Sequence, residues 1–186
     1  KDLLKQGEEQ IIQSLAKDLK KPSTEAFFEI LALKQELQVA ERNLSTWMQP
    51  KRIKVPIWLQ PGAASVIAEP LGCVLIIGPW NYPFMLTLQP LISALAAGNT
   101  AILKPSEFAP STSRLIAKLI QEFFPNDVVK VLQGDSEFAA SLLEHKFDHI
   151  FFTGGSNIAK KVMKAASKHL TPVTLELGGK NPALVM

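Results

Sequence analysis

The pattern of apolar and polar positions changes character near residue 71. Upstream, apolar residues recur at helical spacing. In residues 2–20, Leu4, Ile11, Ile12, Leu15 and Leu19 share one stripe and predict a single amphipathic helix. Pro22 and Ser23 interrupt it, and Ser23 or Thr24 is the expected N-cap of a second helix reaching to about Trp47. The apolar set of that helix includes Phe27, Phe28, Leu31, Leu37, Ala40, Leu44 and Trp47. Pro50, Pro56 and Pro61-Gly62 then mark a turn-rich connection. It holds two candidate edge or arm strands, Val55–Gln60 and Ser65–Glu69, because proline cannot donate within a sheet interior.

From Gly72 onward, short apolar runs alternate with helix-patterned stretches. The runs are Cys73–Ile77, Thr100–Leu103, Val128–Leu132, His149–Phe152 and Val173–Leu177. The stretches between them lie at about 84–97, 111–124, 136–145 and 156–169. Near-continuous apolar strands separated by helices predict a parallel sheet covered on both faces. The expected fold class is therefore α/β, a doubly wound five-stranded parallel sheet preceded by N-terminal helices. The expected division is helices and arm strands over 1–70 and the sheet domain over 71–186.

Composition narrows the function classes. Of 186 residues, 47% are apolar and 20% charged, the balance of an ordinary globular protein. A net charge of +3 without basic residues interleaved with aromatics argues against nucleic acid. Lys160, Lys161, Lys164 and Lys168 follow helical spacing and read as a solvated face. The single cysteine, Cys73, precludes an internal disulfide and fits a reducing, cytoplasmic setting. The longest apolar run, Leu71–Ile77, is too short to span a bilayer, and the start, Lys1-Asp2-Leu3-Leu4-Lys5, does not read as a signal peptide.

Four motifs follow the apolar runs, where parallel strands present ligand-binding loops. They are Gly78-Pro79-Trp80-Asn81-Tyr82-Pro83, Lys104-Pro105-Ser106-Glu107, Phe152-Thr153-Gly154-Gly155-Ser156 and Leu175-Glu176-Leu177-Gly178-Gly179-Lys180. The usual glycine-rich dinucleotide fingerprint is absent. Gly154 and Gly155 would let backbone amides and a helix N-terminus approach a pyrophosphate, although a plain strand-to-helix turn reads the same way. Asn81 supplies an amide donor at a turn. Lys104 and Glu107 offer an ammonium and a carboxylate, with Ser106 a natural helix cap. Val173, Leu175 and Leu177 alternate on one strand face, which leaves Thr174 and Glu176 on the other, with the Glu176 carboxylate expected in apolar surroundings.

In order and spacing these motifs resemble the cofactor-binding half of an aldehyde dehydrogenase, most closely the fatty-aldehyde and class 3 branch. The resemblance is densest over Glu69–Pro83 and Lys168–Lys180. It implies a Rossmann-like fold, a nicotinamide cofactor and oxidation of an aliphatic aldehyde. By this resemblance Asn81 stabilises the oxyanion and Glu176 is the general base. Ile77, Gly78, Pro79 and Trp80 line the dinucleotide, and Lys104 and Glu107 bind the adenosine ribose. The carboxylate of Glu107 disfavours a 2′-phosphate and points to NAD, while Lys104 leaves NADP open. Gly134 occupies a turn near the adenine. Phe152, Thr153, Gly154, Gly155 and Ile158 serve the pyrophosphate and adenine, and Leu177 and Gly178 border the nicotinamide. The turn at 152–156 departs from the commoner family form, which has serine where Gly155 stands and glycine where Ala159 stands.

The family's nucleophilic cysteine is expected beyond Glu176, outside these residues. Cys73 reads as an interior strand residue and not as its replacement. His145 and His149 share no helical face and read as no zinc site. The resemblance implies a homodimer for the full-length parent, with catalytic domain and bridging hairpin supplied by residues not present here. A non-catalytic nucleotide-binding protein is the alternative.

Overall fold

Residues 2–20 form two helices where periodicity predicts one. The computed structural model, which describes residues 1–185, ends α1 (Asp2–Gln6) at Gly7 and runs α2 over Glu8–Leu19. Glycine is a poor helix-interior residue, and the break lets Leu3, Leu4, Ile11 and Leu15 all enter the core.

Helix α3 (Ser23–Trp47) has the expected extent but a different cap and a different buried face. Pro22 stands at the N-cap, and neither Ser23 nor Thr24 caps the helix with its side chain. The buried residues are Ala26, Glu29, Ile30, Leu33 and Ala40, whereas Phe28 is 63% and Trp47 47% exposed. Spacing, not side-chain bulk, selects the face.

The connection that follows pairs β1 (Lys51–Ile53) with β2 (Ala64–Val66) in antiparallel fashion, Lys51 opposite Val66. The expected strand Val55–Gln60 is not formed. Pro56 lacks an amide donor, Ile57–Leu59 turn as a short 3-10 helix, and pairing moves upstream. Of Ser65–Glu69, Ser65 and Val66 are in a strand.

The regular α/β part is as predicted, with small shifts of boundary. It runs β3 (Cys73–Ile77), α4 (Met85–Ala96), β4 (Thr100–Lys104), α5 (Pro110–Phe123), β5 (Val129–Val131), α6 (Ser136–Leu142), β6 (His149–Gly154), α7 (Ser156–Ser167) and β7 (Val173–Leu177). All five strands are parallel, in the order β5-β4-β3-β6-β7. The chain builds outward from β3 to one edge, then returns to add β6 and β7 on the other side. The reversal opens a crevice between β3 and β6 at their carboxyl ends.

One apolar core joins α1–α5 to the sheet face of Val74, Ile76 and Leu103; the other joins Leu75, Ile77, Ile150 and Phe152 to α6 and α7. The N-terminal helices thus share a core with the sheet. Asp18 on α2 ties them further by capping α5, accepting from the Ser111 amide at 3.1 Å and the Thr112 amide at 2.7 Å. Burial alone would raise the Asp18 pKa. The hydrogen bonds from Thr112 and Ser111 outweigh it and hold the carboxyl below its ordinary value.

Candidate cofactor and active site

Strand register brings the four motifs to one edge of the sheet. Ile77 at the end of β3 is level with Lys104 on β4 and Phe152 on β6. Phe152 is level with Leu175, and one residue further Thr153 is level with Glu176 and Gly154 with Leu177. At the usual interstrand spacing the row from Lys104 to Glu176 spans about 14 Å.

The loop after β3 leaves the sheet through buried Gly78 and Pro79 and then exposes Trp80 and Asn81. Gly78 is held by its amide to the Lys104 carbonyl at 3.1 Å. A Cβ here would collide with the Thr87 hydroxyl on α4, so only glycine lets the loop close over that helix. Thr87 Oγ1 is itself buried without a hydrogen-bond partner among the described residues.

After β4, Lys104 is buried and its ammonium meets the Glu107 carboxylate at 2.5 Å. Lys104 therefore reaches the crevice through Glu107, whose side chain remains 30% exposed. Ser106 does not cap α5. Its hydroxyl accepts from the Phe108 amide at 3.3 Å, and the helix opens later, at Pro110. On the same flank, Gly134 follows β5 and lies under the Phe138 ring, with Asp135 capping α6 through the Glu137 and Phe138 amides.

After β6, Gly154 ends the strand over the Phe152 ring and Gly155 is the N-cap of α7. A Cβ at Gly155 would meet nothing within 4 Å, so the approach to the α7 amides is open. Thr153 Oγ1 is buried and unpartnered among the described residues, and Ile158 is 49% exposed on the first turn of α7.

On β7 the sequence reading placed Glu176 in apolar surroundings, and the structure places it differently. Val173 and Leu175 pack on the core that α7 covers, whereas Glu176 is exposed. It shares the opposite face with Thr174, whose hydroxyl lies 2.9 Å from His149 Nε2. Burial pushes the His149 imidazole below its ordinary pKa. Leu177, the last residue of β7, and Gly178 beyond it are exposed, and a Cβ on Gly178 would meet nothing within 4 Å. Cys73 lies at the amino end of β3, the far edge of the sheet from these groups, and its amide donates to Asp148 Oδ2 at 2.8 Å.

Sequence reasoning did not find Lys21 and Glu29. Their contacts with the Asn81 loop link positions with no shared periodicity. It also did not find Thr87, one of two hydroxyl residues in the apolar helix α4.

The sequence model of the aldehyde dehydrogenase family matches residues 1–186. The chain is 46% identical over 184 residues to aldehyde dehydrogenase family 3 member I1, chloroplastic, of Arabidopsis thaliana, covering 98% of this chain and 34% of that protein. Among solved structures, the substrate-bound state of Staphylococcus aureus AldH superposes with a TM-score of 0.95 at 43% identity. That match covers 97% of this chain and 40% of the other. NADP-dependent glyceraldehyde-3-phosphate dehydrogenase of Bacillus halodurans, complexed with NADP, superposes with a TM-score of 0.84 at 30% identity, over 97% and 39% of the two chains. The chain thus spans between a third and two-fifths of the length of these relatives.

Proposed function

The chain belongs to the aldehyde dehydrogenase family, and on that premise we propose that it forms the nicotinamide-binding part of an enzyme oxidising aliphatic aldehydes to carboxylic acids. The observation that carries this reading is the convergence of Asn81, Glu107, Gly155 and Glu176 at the carboxyl edge of one parallel sheet, around its topological switch point.

The residues present fit a dinucleotide. The open Gly155 turn and the start of α7, which has no side-chain cap among the described residues, suit a pyrophosphate, and a partly exposed carboxylate stiffened by Lys104 suits a ribose hydroxyl. Gly134 lines the adenine flank, while Leu177 and Gly178 leave room beside Glu176. NAD is the favoured cofactor, because Glu107 repels a 2′-phosphate. When bound, the cofactor supplies the hydride acceptor.

The remaining steps fall to protein groups. A thiolate adds to the aldehyde carbon, and the Asn81 amide donates to the oxygen that becomes negative. Loss of hydride from that carbon leaves a thioester. Glu176 takes a proton from water as the water oxygen attacks the thioester carbon, and the C–S bond breaks to release acid and thiolate. The thiol is not among these residues. Cys73, their single cysteine, sits at the wrong end of β3.

The test is NADH formation by the full-length protein with straight-chain aldehydes, and by its Asn81→Ala variant. Removing an oxyanion donor is expected to lower kcat about 10²- to 10³-fold. Unchanged turnover would remove Asn81 from the mechanism.

A further inference from the structure

The loop carrying Asn81 is gripped from behind by Glu29 on α3 and by Lys21 in the short connection between α2 and α3. Glu29, on α3, is 1% exposed. One of its carboxylate oxygens takes the Lys21 ammonium at 2.7 Å, and the other accepts the Met85 amide at 2.9 Å. Met85 is the first residue of α4, which has no side-chain cap of its own, because Phe84 stands at the N-cap. Glu29 therefore caps α4 from another helix, with its negative charge at the positive end of the α4 dipole. The Lys21 ammonium also lies 3.7 Å above the centre of the Tyr82 ring. Tyr82 follows Asn81 directly, and Phe84 is fully buried.

The grip is thus double. The cation holds the ring at Tyr82, the carboxylate holds the backbone at Met85, and Asn81 is the residue just before the clamp. On its other side the loop is anchored at Gly78, whose amide donates to the Lys104 carbonyl. Fold stability alone does not call for such a pair. Buried ion pairs replaced by apolar residues of like volume leave proteins about as stable, or more so. What the pair adds is a fixed geometry for a short, exposed loop.

We infer that Lys21 and Glu29 are positioning residues that set the Asn81 amide for the reaction. The inference rests on the reading of Asn81 as oxyanion donor. Glu29 acts through the Met85 amide and Lys21 through the Tyr82 ring, and neither touches substrate or cofactor.

A double-mutant cycle in the full-length enzyme tests this, with kcat, KM for NAD and melting temperature read for Glu29→Gln, Asn81→Ala and the double variant. Glu29→Gln keeps the shape and an oxygen facing Met85 but removes the charge. A displaced donor is expected to lower kcat about 10- to 100-fold, while KM for NAD moves less than about twofold. In the Asn81→Ala background the same change should cost almost nothing further, since no donor remains to be positioned. An equal loss in both backgrounds, or a rise in KM for NAD matching the fall in kcat, would overturn the positioning role. So would wild-type kcat in Glu29→Gln. If Asn81→Ala alone turns over normally, the oxyanion reading fails first, and the pair has nothing to position. If Glu29→Gln does not fold, Lys21→Met carries the same cycle, because it removes the cation and leaves the carboxylate on the Met85 amide.

Discussion

Replacing Glu107 with glutamine should change which nicotinamide cofactor the site prefers. The carboxylate lies beside the Lys104 ammonium at 2.5 Å with its side chain 30% exposed. At an effective dielectric of about 20 and a separation of about 5 Å, it opposes each unit of charge on a 2′-phosphate by about 3 kcal/mol. Partial exposure and the neighbouring cation cut that field, leaving a net penalty of about 1.5–3 kcal/mol against NADP. Glu107→Gln removes the repulsion, keeps a group that can accept from a ribose hydroxyl, and frees Lys104 to meet the phosphate. The ratio of NADP to NAD affinity should therefore rise about 10- to 100-fold, with most of the change in NADP. Calorimetric titration of both cofactors into wild type and variant reads it directly. A ratio that stays put would mean that Glu107 does not face the ribose, and its pairing with Lys104 would then be purely structural.

Gly78→Ala forces a methyl group into Thr87 and should destabilise the fold by about 1–3 kcal/mol, and adding Thr87→Ala should recover part of that loss in thermal unfolding. Asp18→Asn should cost about 1 kcal/mol at neutral pH, because the α5 amides lose an ionised acceptor. The folded-state pKa of Asp18 is lowered from 3.8, so its stabilisation is present above that value and is lost as pH falls through the folded-state pKa. Urea unfolding at neutral and at strongly acid pH should show the gap between wild type and variant closing in acid, and a gap independent of pH would contradict the capping role.

How much was legible depended on what each element answers to. Strand β3 is a continuous apolar run bounded by Gly72 and Gly78, β7 alternates Val173, Leu175 and Leu177 before Gly178, and both stand within the bounds read from sequence. Parallel strands with intervening helices imply a carboxyl-edge site, so the motifs' common location followed from the same pattern. Helix α3 was misread on its face, because Phe27 and Phe28 look like core residues while the spacing of Ala26, Ile30 and Leu33 decides. The arm strands failed at Pro56, where the missing donor moves pairing to Lys51–Ile53. Glu176 is exposed because the helix packed on β7, α7, covers the other face. The Lys21–Glu29 clamp is a long-range contact, joining α3 to a backbone amide 56 residues away, and no local pattern announces it.

If this sheet edge serves aldehyde oxidation, Glu176 is the base that releases the product. The most direct measurement is rapid-mixing kinetics of the full-length Glu176→Gln variant with NAD and a straight-chain aldehyde, with mass spectrometry of the quenched protein. The expected result is a burst of about one NADH per site followed by a stall, with an acyl group held on the protein as a thioester. Steady turnover at the wild-type rate, with no acylated protein, would contradict it.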